Sequence, residues 1–193
     1  MCGQYEWQSD EDAPELLWLM ESLSRRVGET PAFAAMARGR VRPTDIAPAW
    51  TDGGAVLMRW GFGMPAGRPV INARAETAAE RPLFSGPLRR ARCALPARRF
   101  FEWGRMGRER VRYACYPPGG EPVYLAGLYR FDPEQTLPSF VILTRPAEGA
   151  LASIHSRMPV LISRADLRAW LEREEAARSL LLAAQPALKL AAE

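Results

Sequence analysis

Lysine is almost absent from this chain. Of its 26 basic residues only Lys189 is a lysine, the others being arginines, and His155 is the only histidine. A protein with so few side-chain amines has few ways to form a Schiff base, and one imidazole cannot build a multi-histidine metal site. Cysteine is scarce as well. Cys2, Cys93 and Cys115 are an odd number at wide spacings with no CxxC pair, which argues against a zinc ribbon or a disulfide framework and points to a reducing cytoplasm. No apolar run approaches the roughly 18 to 20 residues that span a bilayer. The first residues, MCGQYEWQSDEDAPE, have neither the basic flank nor the apolar stretch of a secretory signal. Internal repeats and low-complexity linkers are also missing. The expectation is one domain over residues 1–193, with no membrane partner, no metal and no cofactor.

What is present is an ordinary globular composition, 48% hydrophobic and 25% charged over 193 residues, so a disordered or fibrous chain is excluded. A domain near this size buries roughly 70% of its unfolded surface and needs no staple. The net charge of +4 is unevenly spread. Residues 1–21 carry six acids (Glu6, Asp10, Glu11, Asp12, Glu15 and Glu21) and no base, whereas residues 89–112 carry nine arginines against Glu102 and Glu109. The arginine excess reads either as the mark of a GC-rich genome or as a surface for a phosphate-rich partner.

Periodicity predicts a helix over 14–26, ending in arginines that suit its dipole, and a short second helix over 31–38. RPTDIAP (42–48) reads as a turn-rich break. Strands are expected at 55–62, 111–116, 123–131, 139–144 and 159–163, with 92–103 as a loop leading into a strand and PPGG as a turn. One or two helices over 164–184 complete the chain. Helix, mixed strands, then helix is an α+β order with a largely antiparallel sheet, not a doubly wound one.

The chemistry turns on who can act as a nucleophilic amine. A lysine is about 0.1% neutral near pH 7.5, whereas an α-amine is roughly 30% neutral. Cys2 reads either as an incidental neighbour of the start codon or as the residue that, once Met1 is removed, presents a 1,2-aminothiol. Such an amine condenses with an aldehyde to an imine, and its own thiol then closes a five-membered thiazolidine, a ring closure of high effective molarity. His155, in SIHSRMPV, is either structural or the one imidazole available to a reaction. Glu102, between Phe101 and Trp103, is either an exposed strand carboxylate or a desolvated acid–base with a raised pKa. Asn72, in INARAET, is a turn residue or a group that orients an amine or carbonyl, and Arg74 shares its face if the segment is a strand.

Taken together, MCG at the start, WG at 60–61, NARAET (72–77), FEW (101–103) and IHSRMP (154–159), in this order, closely resemble the SRAP family, the SOS response-associated peptidase or abasic site processing proteins. The resemblance covers about residues 2–171, with IAP (46–48), MRWG (58–61), RCALP (92–96), AGLY (126–129) and ILT (142–144) in support, and leaves a C-terminal helical tail after it. It implies a barrel-like, mostly antiparallel β core flanked by helices. It implies binding of single-stranded DNA and a covalent thiazolidine crosslink between Cys2 and the ring-opened aldehyde of an abasic site, together with lyase-type and Cys-dependent autopeptidase activity that removes Met1. By motif, the catalytic set falls on Cys2, Asn72, Glu102 and His155. Glu102 is implied as the acid–base, His155 as the group at the sugar hydroxyls, and Asn72 as the one orienting the Cys2 amine. Arg74, Arg81 and Arg157 are implied as DNA contacts, and Trp60 as a residue stacking or wedging near the lesion. The implied setting is a bacterial cytoplasm, nucleoid-associated when on DNA, with the chain a monomer.

The sequence departs from the family pattern at Gln4, where arginine is usual, at Phe101, where tyrosine is common, at Arg99 or Phe100 in place of a glycine, and at Ser85, where arginine is frequent. These changes spare the four chemical residues and remove phosphate contacts. Two other readings stand beside the first: a cysteine-type peptidase acting on protein substrates, although no oxyanion-hole motif is visible, and a non-catalytic single-stranded DNA-binding module.

Overall fold

The computed structural model describes residues 2–7, 14–65 and 67–193. Met1 and the acidic residues Asp10, Glu11 and Asp12 therefore lie outside the described residues.

In chain order the strands are β1 (Tyr5–Glu6), β2 (Arg40–Val41), β3 (Ile46–Thr51), β4 (Gly54–Trp60), β5 (Asn72–Arg74), β6 (Arg92–Ala97), β7 (Arg99–Met106), β8 (Glu109–Tyr116), β9 (Val123–Arg130), β10 (Ser139–Pro146), β11 (Arg157–Pro159), β12 (Leu161–Ile162) and β13 (Lys189–Ala192). The helices are α1 (Pro14–Val27), α2 (Pro31–Ala34), α3 (Pro82–Arg90), α4 (Leu167–Glu172) and α5 (Glu174–Leu182), and a 3-10 turn covers Gly149–Ser153. The expected α+β class and mostly antiparallel pairing hold.

The strands form two sheets. One has the order β13-β8-β7-β1-β2 and is antiparallel where its pairings are resolved. The other runs β11-β10-β4-β3-β6-β9-β12, with β5 beside β10 and an added β9–β10 pairing that curls it into a barrel-like form. It is not fully closed. β10 meets β4 over only two parallel residue pairs, then leaves it to pair β5 in parallel from Ile142↔Asn72 to Thr144↔Arg74.

Two apolar clusters explain why the second sheet is so hydrophobic. Along β10, Phe140 and Ile142 enter the first cluster and Val141 and Leu143 the second; along β9, Val123 and Leu125 enter the first and Tyr124, Ala126 and Leu128 the second. Strands buried on both faces read as continuous apolar runs, as SFVILT does. The first cluster also takes Tyr5, Phe100 and Cys115 from the other sheet and Leu16, Leu19 and Leu23 from α1. Those three recur on one helical stripe, and each contributes roughly 1.5–3 kcal/mol by leaving water. The second cluster packs β6, β9 and β10 against Leu88 of α3, Trp170 of α4 and Ala177 and Leu181 of α5. The two sheets therefore meet across the first cluster.

Several expectations are corrected. Residues 46–51 form a strand instead of a turn-rich break; Pro48 is tolerated because β3 meets β6 only at Trp50. The 92–103 stretch is two strands, divided at Arg98, instead of a loop and one strand. The tail is not helical to its end, because β13 pairs β8 from Lys189↔Tyr116 to Ala192↔Tyr113. α3 is formed by a segment with Pro82 in its first turn and Pro87 inside it, which local propensity does not favour.

Candidate active site

The N-terminal segment is drawn into the junction between the sheets. Tyr5 pairs with Val41 on one side and Phe100 on the other, and the Phe101 amide donates to the Gln4 carbonyl. Cys2 thereby lies fully buried in the first cluster. Its carbonyl accepts a hydrogen bond from Asn72 Nδ2 at 2.9 Å, and its thiol points to the Gln4 carbonyl at 3.8 Å. Asn72 stands on β5 opposite Ile142, and its Oδ1 is buried without a hydrogen-bond partner. One arm of this amide thus holds the Cys2 backbone while the other keeps acceptor capacity beside the same residue.

Glu102 lies on β7 opposite Tyr113 and is only 2% exposed. Its Oε2 is 3.9 Å from His155 Nε2, which is ion-pair range and longer than a direct hydrogen bond. Burial raises the Glu102 carboxyl above the ordinary carboxylate range, against the downward pull of charge including His155. Burial, followed by the charge of Glu102, pushes the Cys2 thiol strongly upward, so this sulfur is held as a thiol and not as a thiolate.

His155 follows the 3-10 turn and precedes β11. Its Nδ1 is 3.0 Å from the Arg157 backbone nitrogen and 3.1 Å from the Arg157 carbonyl oxygen. An amide N–H only donates and a carbonyl only accepts, so the Arg157 backbone offers Nδ1 a partner in either tautomer and leaves Nε2 facing Glu102.

A cleft of about 390 Å³ opens here, with Gly3, Gln4, Arg42, Glu102, Trp103 and Arg112 among its walls. Cys2, Asn72, Glu102 and His155 are thus brought together, with the carboxyl in the wall of a polar cleft. No group of three or more His, Cys, Asp or Glu side chains able to hold a metal occurs among the described residues, and no helix of those residues is long and apolar enough to cross a membrane.

The arginines and tryptophans fall less neatly. Arg74 is exposed on the strand face it shares with Asn72, and Arg81 is exposed just ahead of α3. Arg157 forms a bidentate ion pair with Glu76 and also donates to the Thr144 carbonyl, leaving its side chain 16% exposed. Its guanidinium is thus engaged by protein groups here, beside a half-exposed carboxylate, and its place as a DNA contact stays an expectation. The stacking role expected of Trp60 meets a contrary observation. It is fully buried, packed on Tyr5 (5.5 Å) and Phe140 (5.9 Å), and its indole donates to the Ile71 carbonyl at 2.9 Å. No base can stack on it; it supports the strand that bears Asn72.

Sequence reasoning missed Trp103, which is 46% exposed with Arg110 lying 4.3 Å over its ring, and Arg42 in the cleft wall. The period-two alternation of FEW was the available signal: if Glu102 points inward, its neighbour points out. The arginine-rich stretch is also not one surface. Arg92 is buried, and Arg99 and Arg112 join Arg40 around the Phe101 ring, where Glu6 and Glu193 balance them. Arg105, Arg108 and Arg110 remain exposed at the β7–β8 hairpin.

The place of the second residue sets the class: an α+β fold whose N-terminal segment is threaded into the junction of two sheets. The same architecture occurs in a crystal structure of a protein from Bacteroides thetaiotaomicron (TM-score 0.78, 20% identity, 99% of this chain and 91% of that one) and in one from Bordetella bronchiseptica (TM-score 0.75, 21% identity, 100% and 99%), a likeness of fold. The family model for SOS response associated peptidase (SRAP) matches residues 1–192, and the chain belongs to that family. Among curated relatives it is 29% identical to the abasic site processing protein YedK of Escherichia coli (strain K12) over 182 residues, 90% of this chain and 81% of that protein. It is 34% identical to the abasic site processing protein YoaM of Bacillus subtilis (strain 168) over 125 residues, 59% of this chain and 55% of that protein.

Proposed function

We propose that this protein processes abasic sites in single-stranded DNA by capturing the ring-opened sugar aldehyde on Cys2. The observation that carries the reading is the Asn72 side chain, which donates to the Cys2 carbonyl and keeps Oδ1 unused beside it. Loss of Met1 turns the Cys2 amide nitrogen into an amine, and Oδ1 then accepts one of its hydrogens and directs the lone pair outward. The amine adds to the aldehyde and the carbinolamine expels its hydroxyl as water, leaving an imine. The Cys2 S–H then adds across C=N, sulfur to carbon and hydrogen to nitrogen, and closes the thiazolidine. The product is protein plus DNA less one water.

A raised carboxyl suits this sequence. Glu102, more readily protonated than an exposed carboxylate, gives a proton to the departing hydroxyl and takes one back as the ring closes or reopens. His155, whose Nε2 lies within ion-pair range of Glu102, shares that proton path. The protonated thiol fits a reaction begun by the amine better than thiolate attack on a peptide bond, which needs an activated sulfur. Trp103 offers its exposed face to a flanking base, and Arg42, Arg74 and Arg110 offer charge to the backbone.

Intact-protein mass spectrometry tests this reading. After incubation with a single strand carrying one abasic site, the expected mass lacks Met1 and gains the DNA less one water, and Cys2→Ala gains nothing. Protein that has lost Met1 but stays unshifted would overturn it. Cleavage of unrelated peptides by the Met1-bearing chain would assign the fold to proteolysis, and equal affinity for intact and abasic strands without an adduct would leave simple strand binding.

A further inference from the structure

Glu76 and Arg157 form a bidentate ion pair beside the site, and neither reaches the reacting atoms. Glu76 sits in the turn after β5, two residues beyond Arg74, and Arg157 opens β11. Between them runs β10, where Thr144 pairs with Arg74 on one side and Pro159 on the other. The Arg157 guanidinium crosses that strand. Its two terminal nitrogens bond the two Glu76 oxygens, Nη2 to Oε2 at 2.9 Å, and Nη2 also reaches the Thr144 carbonyl and, at 3.2 Å, its hydroxyl. A bidentate fork with two further acceptors permits one orientation of the side chain, and so of the residue that carries it. The backbone of that same residue supplies both groups that face His155 Nδ1, the N–H at 3.0 Å and the carbonyl at 3.1 Å.

We infer that Glu76 is a positioning residue for His155: by clasping Arg157 across β10 it fixes the backbone that holds Nδ1 and so aims Nε2 of the imidazole at Glu102. The clasp also ties the end of the strand bearing Asn72 to the segment bearing His155, so the two arms of the site keep their spacing. Glu76 is itself half exposed, and the Arg157 hydrogen bonds hold its carboxyl below the usual range, so the pair stays charged at neutral pH. The consequence for catalysis rests on the function proposed above; the consequence for the imidazole does not.

His155 is the only histidine, which makes the imidazole directly observable: its nitrogens give the only such signals in a nitrogen-15 spectrum of the full chain. The parent is expected to show one sharp pair of imidazole nitrogen signals, as a ring held in one setting does. Glu76→Ala is expected to shift and broaden both signals as the ring loses its fixed setting, and to slow crosslinking roughly tenfold, as loss of an orienting partner does elsewhere. Glu76→Gln, which keeps one acceptor for the fork, is expected to recover most of both, with melting temperatures alike in all three. Unchanged imidazole signals in Glu76→Ala overturn the inference, whether or not the rate falls. If the parent never forms an adduct but the imidazole signals still shift in Glu76→Ala, the function proposed above fails and the positioning role stands.

Discussion

The two sheets differ in how they use their interiors. The barrel-like sheet is apolar on both faces: β9 and β10 bury six successive residues each, and Trp170 closes its helical side with an indole bond to the Cys93 carbonyl at 2.9 Å. The five-stranded sheet buries a carboxyl, Glu102, and gathers arginines and glutamates over Phe101. The first sheet holds the larger share of apolar packing, and the second holds the buried carboxyl. The site lies at their junction because each supplies what the other lacks: the barrel-like sheet gives Asn72 a rigid strand to stand on, and the smaller sheet gives Cys2 and Glu102 a route toward the cleft.

Three substitutions would break or sharpen that contrast. The largest effect is expected from Trp170→Ala, which empties a fully buried aromatic site and removes the bond to Cys93. It should cost about 3–5 kcal/mol in a denaturant titration, while crosslinking per folded molecule is unchanged. A matching loss of chemistry would show that the two regions are not separable.

Next comes Glu102→Gln, expected to slow adduct formation about 100-fold and yet to stabilise the protein. The sign follows from burial. The folded chain keeps the Glu102 proton where the unfolded chain has released it, so stability falls as pH rises from the unfolded carboxylate value through the raised folded one. The variant should melt about 2–4 °C above the parent at about pH 8, and together with it at about pH 4. A lower melting temperature at the higher pH would mean that the carboxylate is stabilised in place. The smallest of the three effects is expected from Trp103→Ala: roughly tenfold weaker binding of an intact single strand, read by fluorescence titration, with no change in melting temperature.

The same contrast decides what could be read from the sequence. The barrel-like sheet announces itself, because a strand buried on both faces is a continuous apolar run and a helix with one buried stripe has a period; SFVILT, VYLAGLYRF and residues 14–26 are legible for that reason. β3, α3 and β13 are not, because tertiary contacts override a proline-bearing local signal in the first two and a short edge pairing defines the third. Motifs name Cys2, Asn72, Glu102 and His155, yet no spacing states that residues 70 apart share a hydrogen bond. Trp60 shows the limit most plainly. Its place in MRWG suggests a contact surface, but strand pairing turns the ring into the core, and the exposed indole is that of Trp103.

Arg92 carries a consequence of a different kind. This buried guanidinium donates to the carbonyls of Leu88 and Arg89, at the end of α3, and to those of Trp170 and Leu171, in the last turn of α4. One cation thus caps two helices that are nearly eighty residues apart in the chain. Neither helix can fray alone without stranding a buried charge, so their amides should exchange with solvent as one cooperative unit. The helical back of the protein is expected to open all at once or not at all, leaving the face that bears the cleft to move on its own schedule.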